Sequence, residues 1–149
     1  MIEDIENKIL AVLKNKKNYK DYIRKKNQIE KRKFLTFLLI INTNLTLSQL
    51  SNLTVDNFIK LKEGELITIN PDKKDPFNVT NAYLLNQDFS SLFSPDLYNN
   101  FIKLKNDDDK LLCSIINKKP ISKHNLKKDF NEIVTDILLE KYTKSRLNR

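Results

Sequence analysis

The sequence predicts an α+β fold, mainly α, in which a helical core carries a small antiparallel β-sheet. Three observations predict it. Apolar residues recur at spacings of three and four near both ends of the chain, as on the inner face of a helix. The run Phe34 to Ile41 is apolar on nearly all sides, the pattern of a helix buried in a core. Between that run and the C-terminal stripe, Glu63 to Leu85 places strand-forming residues on either side of a polar turn, the pattern of a hairpin. At 149 residues the chain suffices for one domain with a real core and is too short for two ordinary ones, so a single unit over 1–149 is expected.

Taken in order, Ile2, Ile5, Ile9, Val12 and Leu13 define a first amphipathic helix. The polar, basic stretch from Lys14 to Lys33, anchored by Tyr19, Tyr22, Ile23 and Ile29, leads into the buried helix, which ends at Asn42 to Asn44. Thr46 and Gln49 fit a capping box, in which each side chain satisfies an orphan amide at a helix start. Thr54, Val55 and Asp56 signal a further short helix. Gly64 permits a turn, Leu66 to Ile69 have strand preferences, and Pro71 ends that strand. Pro71 to Asn78 is a polar turn with Lys73 and Lys74 at its tip, from which Val79 to Leu85 returns as a second strand. Ser94, Pro95 and Asp96 open a helix, with proline in the first turn and an acid near the positive end of the dipole. Leu97, Phe101 and Leu104 mark its inner face. Asp107 to Asp109 form a solvated loop, and Ser122 caps a last helix with the stripe Leu126, Phe130, Ile133, Ile137 and Leu138. There is no internal repeat.

Composition narrows the function classes. With 40% apolar and 31% charged residues the chain reads as a soluble globular protein, and its Lys, Asn and Ile excess suggests an AT-rich genome. The net charge of +8 is unevenly placed: residues 1–33 carry eleven Lys or Arg against five acids, and 117–149 carry nine against four. Residues 34–116 are net negative by three. A basic surface built from both ends suits a polyanion, because cations that neutralise phosphates release counterions and bind irrespective of sequence. A solvated lysine-rich surface shaped by codon bias stands as the plainer account of the same charge.

Other chemistries find no footing. Cys113 is the single cysteine, sits in the apolar run Leu111 to Ile116, and reads as a small buried residue in a reducing compartment. Phe34 to Ile41 is too short to span a bilayer, and the acidic N-terminus is unlike a signal peptide. An intracellular, soluble protein is expected, in the cytoplasm or the compartment of an AT-rich organelle genome, without membrane association. One glycine leaves no phosphate-cradling loop, a lone His124 makes neither a triad nor a metal site, and Asp107 to Asp109 lack calcium-loop spacing. No cofactor, metal or small-molecule ligand is indicated.

The segment Thr43 to Phe58, TNLTLSQLSNLTVDNF, carries the most specific pattern. Thr43, Leu45, Ser48, Leu50, Leu53, Asp56 and Phe58 resemble the first catalytic box of the tyrosine recombinase (phage integrase) family. That box runs T-G-L-R-x-S-E-L and then L-x-x-x-D before an apolar residue. Asn44 stands in place of glycine, a mild exchange if the turn needs a residue tolerant of positive φ. Gln49 stands in place of glutamate. Thr46 stands in place of the arginine that clamps the scissile phosphate, and no hydroxyl reproduces a guanidinium's charged, forked contact. The order of elements is similar to the N-terminal part of that family's catalytic domain over nearly the whole chain.

The resemblance implies further candidates. A hairpin lysine protonates the leaving oxygen in that family, and Lys73 or Lys74 occupies the matching turn, where a solvated lysine is the simpler role. Aligning His124 to Lys128 with the second box, H-x-L-R-H, puts Lys127 in an arginine's place and makes Tyr142 a nucleophile. In a better register LLCSIINKKPISKHNLKKDFNEI matches the stretch upstream of that box, which then begins near Thr143. Arg146 and Arg149 are the nearby arginines, and the family's tyrosine lies beyond the chain's end. Without those ligands the electrostatic stabilisation that covalent catalysis needs is lost.

The implied protein is a degenerate, catalytically inactive recombinase relative without the family's separate DNA-clamping domain. It binds DNA weakly through Lys25, Lys26, Lys73, Lys74, Lys123, Lys127 and Lys128. Two alternatives stay open. Thr46 to Leu61 could act as a helix-turn-helix with Val55 to Leu61 as reader, and a partner recombinase chain could supply the tyrosine in trans. A protein-interaction remnant is the plainest reading and leaves the charge segregation unexplained.

Overall fold

Residues 2–69, 79–114 and 119–147 are described by a computed structural model, with side chains from 7 to 137 within those ranges. In chain order the elements are α1 (Ile2–Lys14), α2 (Tyr19–Arg24), α3 (Gln28–Asn42), α4 (Leu47–Ser51), α5 (Val55–Lys62), β1 (Ile67–Ile69), β2 (Thr80–Ala82), a 3₁₀ turn at Gln87–Leu92, α6 (Pro95–Ile102) and α7 (Lys123–Leu147). The chain is mainly helical with a small antiparallel sheet, as its sequence predicts.

The helix that is apolar all round becomes the centre. Asn27 caps α3, accepting from the Glu30 amide while Glu30 reaches back to the Asn27 amide. Phe34, Leu35, Phe37 and Leu39 then lose all solvent exposure, and each such burial stabilises the fold by about 1.5–3 kcal/mol. α7 covers α3 most extensively, and α4 and α6 pack on its other sides. The rings of Phe37 and Phe130 stack across the α3–α7 contact at 5.8 Å. On the other side of Phe37, Phe34 meets Tyr22 edge-on at 6.1 Å and so draws α2 in.

Several stripes are rotated or cut short relative to expectation. In α1 the buried residues among the described side chains are Ile9, Leu10 and Leu13, and Val12 is exposed, while the side chains of Ile2 and Ile5 lie outside the described residues. Ile29 lies in the first turn of α3 and faces out; the anchors there are Tyr19, Tyr22 and Ile23. Leu104 is 98% exposed, because α6 ends at Ile102 and a positive φ of 62° at Leu104 takes the chain off the helical period. Tyr98 fills out the inner face with Leu97 and Phe101. Cys113 is half-buried, not buried, and its Sγ donates to the Lys110 carbonyl at 3.4 Å. Leu126, Ile133 and Ile137 are buried in α7 as expected, Phe130 packs half-buried beside them and the Leu138 side chain lies outside the described residues; the Ser122 hydroxyl accepts from the Asn125 amide at the helix start.

The turn after α3 is tied to the hairpin. β1 and β2 pair as Ile67 with Ala82, Thr68 with Asn81 and Ile69 with Thr80, and Thr43 bridges Leu84 beyond them. Asn44 does not adopt the positive φ that its place in the box suggests. Its amide instead donates to Asn81 O at 2.9 Å and accepts from Tyr83 N at 3.0 Å. Asn42 does the same to both backbone groups of Asn86, at 3.2 and 3.0 Å. The 3₁₀ turn that follows has no clear sequence signal and packs on α1. Asp107 to Asp109 are solvated as expected, yet Asp107 O and Asp109 O accept from the first amides of α5. Pro71, the turn to Asn78, and Ile115 and Ile116 lie outside the described residues.

Gly64 has φ +89°, and a Cβ there would sit 3.0 Å from the Gln87 side chain, whose Nε2 donates to Gly64 O at 3.3 Å. Gly64→Ala should therefore destabilise the protein by at least about 1 kcal/mol, read as a lower urea midpoint at unchanged slope.

Candidate nucleic-acid interface

The two basic ends of the sequence meet where α3 packs on α7. Arg32 donates from Nε and Nη2 to the two Asp129 carboxylate oxygens at 3.3 and 3.5 Å, and Lys33 Nζ donates to Glu132 at 2.5 Å. These pairs join residues 97 and 99 positions apart in sequence. Beside them a cleft of about 510 Å³ is lined by Arg32, Lys33, Lys119 and Lys128 together with Asp129 and Glu132. Further along α7, His124, Lys127 and Lys128 share an open groove of about 720 Å³ with Glu132 and Asp136.

The predicted DNA-contacting lysines divide by place. Lys123, Lys127 and Lys128 project from the first turns of α7 and are exposed, and Lys25 is exposed at the end of α2. Lys26 is half-buried, with Nζ 4.4 Å from the Tyr22 ring centre and 5.5 Å from that of Phe34, so its charge is partly held against aromatic faces. Lys73 and Lys74 lie outside the described residues. Sequence reasoning counts Arg32, Lys33 and Lys119 only as part of the charge excess, since a pairing across such separations leaves no local trace.

Among the positions that the recombinase resemblance singles out in its first box, Thr46 is described with its side chain. Thr46 is the N-cap of α4: its Oγ1 accepts from Gln49 N at 3.2 Å, and Gln49 Oε1 accepts from Thr46 N at 3.0 Å. The position that the resemblance assigns to an arginine is thus filled by a reciprocal cap. Tyr142 belongs to α7, which also carries Thr143 and Arg146 to its end at Leu147, but nothing is described of these side chains; Arg149 lies outside the described residues. Among the described residues no three metal-ligating side chains converge. No helix among them is long and apolar enough to cross a membrane.

The helix-turn-helix alternative has its two helices at α4 and α5. Val55, Phe58 and Leu61 of α5 are buried, and on its outer side Lys60 pairs with Asp56 at 3.2 Å. Asn57 therefore remains as the main base-reading side chain on a helix of 8 residues. No family model, curated protein or solved structure matches the chain.

The seam's carboxyls are shifted in opposite directions. Burial pushes Asp129 above its ordinary 3.8, against the downward pull of Arg32 and Lys33. The hydrogen bond from Lys33 holds Glu132 below its ordinary 4.5. The stability held at Glu132 is present above 4.5 and is lost as pH falls through its lower folded value. For Asp129 the folded state binds the proton more tightly, so stability falls as pH rises from 3.8 through its higher folded value.

Melting temperature measured against pH should then climb more steeply through the acid range in Asp129→Asn than in the native protein, and less steeply in Glu132→Gln. Thr46→Ala should cost about 1 kcal/mol through loss of the cap, with Thr46→Ser close to native in a denaturant titration.

Proposed function

We propose that this chain is a catalytically inactive relative of the tyrosine recombinases that binds DNA without sequence preference. The observation that carries the binding is the meeting of two basic stretches, far apart in sequence, at the α3–α7 seam. There Lys123, Lys127 and Lys128 stand exposed beside the Arg32 and Lys33 pairs. Exposed lysines on a helix face suit phosphate contacts, which position a protein on a duplex and carry no sequence information themselves. The acids Asp129, Glu132 and Asp136 on the same helix moderate the field and keep the affinity low.

Inactivity rests on Thr46. With its hydroxyl accepting from the Gln49 amide and its own amide donating to Gln49 Oε1, this position offers a phosphate no cation. The ancestry rests on the seven box positions between Thr43 and Phe58.

Gel shifts at low salt should show binding of similar strength to unrelated duplexes. Replacing Lys123, Lys127 and Lys128 with Gln should weaken every duplex alike and reduce the salt slope by about one for each phosphate no longer neutralised. Alanine at Asn57 and Lys60 should change nothing; abolition of sequence-specific binding by that pair would establish the helix-turn-helix instead. A nicked suicide substrate should yield no covalent adduct, and an adduct formed only with a partner recombinase would establish completion in trans.

A further inference from the structure

A second cleft, of about 710 Å³, opens between α1–α2 on one side and the 3₁₀ turn and α6 on the other. It shares no lining residue with the cleft at the α3–α7 seam. Its size falls within the range that holds small organic ligands.

Ser94 lines this cleft at the start of α6. It has the extended backbone of an N-cap, but its side chain makes no cap bond, because the Leu97 amide donates to the Ser94 carbonyl at 2.8 Å instead. The residue is 5% exposed, and its Oγ is the one buried side-chain polar atom without a partner among the described residues. A buried hydroxyl left unpaired costs about 1–3 kcal/mol.

The surroundings favour an anion. Lys14, Lys20, Arg24 and Lys62 line the cleft with a single carboxylate, Asp21. Arg24 is shared between Asp21 at 3.3 Å and Asp96 at 3.9 Å, and Lys62 lies 3.7 Å from Glu63. With these outer acids included, four cations still face three carboxylates, and the positive end of the α6 dipole adds to them. Lys20 has no partner among the described residues. Phe93 and Tyr98 add apolar wall, with Lys62 Nζ 5.2 Å from the Tyr98 ring centre.

We propose that this cleft binds the phosphate of a small phosphorylated molecule. Ser94 Oγ turns toward the cleft and donates to one phosphate oxygen, Lys20 and Arg24 pair with the others, and the organic portion lies on Phe93 and Tyr98. The site is independent of the DNA-binding surface on α7.

Thermal melts and calorimetric titrations of the full chain test this, with sodium phosphate as probe against sodium chloride at matched ionic strength. Phosphate should raise the melting temperature saturably, and adenosine monophosphate should bind more tightly than phosphate alone. Ser94→Ala should melt at or above the native temperature without phosphate, since an unpaired hydroxyl is removed, yet bind phosphate about tenfold more weakly. Lys20→Gln should weaken phosphate binding with little change in the unliganded melt. Lys127→Gln with Lys128→Gln should leave it unchanged, as should an added short duplex. A phosphate response no larger than that of chloride, native phosphate affinity in Ser94→Ala, or loss of binding on changing α7 would each overturn the site. Displacement of phosphate by the duplex would make the cleft part of a nucleic-acid surface and overturn it as well.

Discussion

The burial of α3 is the constraint on which the rest depends. A helix apolar on nearly all sides must be covered on nearly all sides, and α7 supplies the largest part of that cover. The aromatic contacts that run from Tyr22 through Phe34 and Phe37 to Phe130 show the consequence, since one helix orders both the segment before it and the last helix of the chain. The apolar term dominates here. Burying one phenylalanine is worth about 1.5–3 kcal/mol, whereas the partly exposed Lys33–Glu132 pair contributes less and the attraction within the buried Arg32–Asp129 pair is largely offset by the cost of desolvating its charges. The Arg32–Asp129 and Lys33–Glu132 pairs therefore set register more than they hold the helices together, and the basic surface is a by-product of where the hydrophobic cover had to go.

Local features of the fold are legible in the sequence and distant ones are not. The capping box at Thr46 and Gln49, the cap at Thr54 and the proline start of α6 are decided by residues three or four apart, and each is found where its chemistry places it. The departures have the same physical origin. Val12 and Ile29 fit a helical period, but which face is inner depends on neighbours that the period does not specify. Leu104 fits the period of a helix that has already ended. The place of Asn44 in its turn suggests a role for its backbone tolerance, while its actual work is done by its side chain on Asn81 and Tyr83, 37 and 39 positions further on.

The same division applies to the sites. Charge segregation toward the two ends can be counted, but that the ends meet depends on α7 lying on α3. Thr46 is readable as a cap because the partner is three residues away. The orphaned Ser94 hydroxyl is not readable, because Ser94-Pro95-Asp96 has the residues of a competent helix start. Its failure to cap follows from the Leu97 amide choosing the Ser94 carbonyl, a detail of backbone geometry.

Asn42 and Asn44 bear on how relatives of this chain should be compared. Each must give and accept a hydrogen bond through one short side chain, lashing the turn after α3 to the strand segment 81–86. Aspartate lacks the donor at neutral pH, serine lacks the reach and glutamine overshoots, so drift at these two positions is confined almost to asparagine itself. Invariance there would look like the signature of an active site beside the box. It would instead record a joint in the scaffold, made by two side chains bonded to the backbone of 81–86.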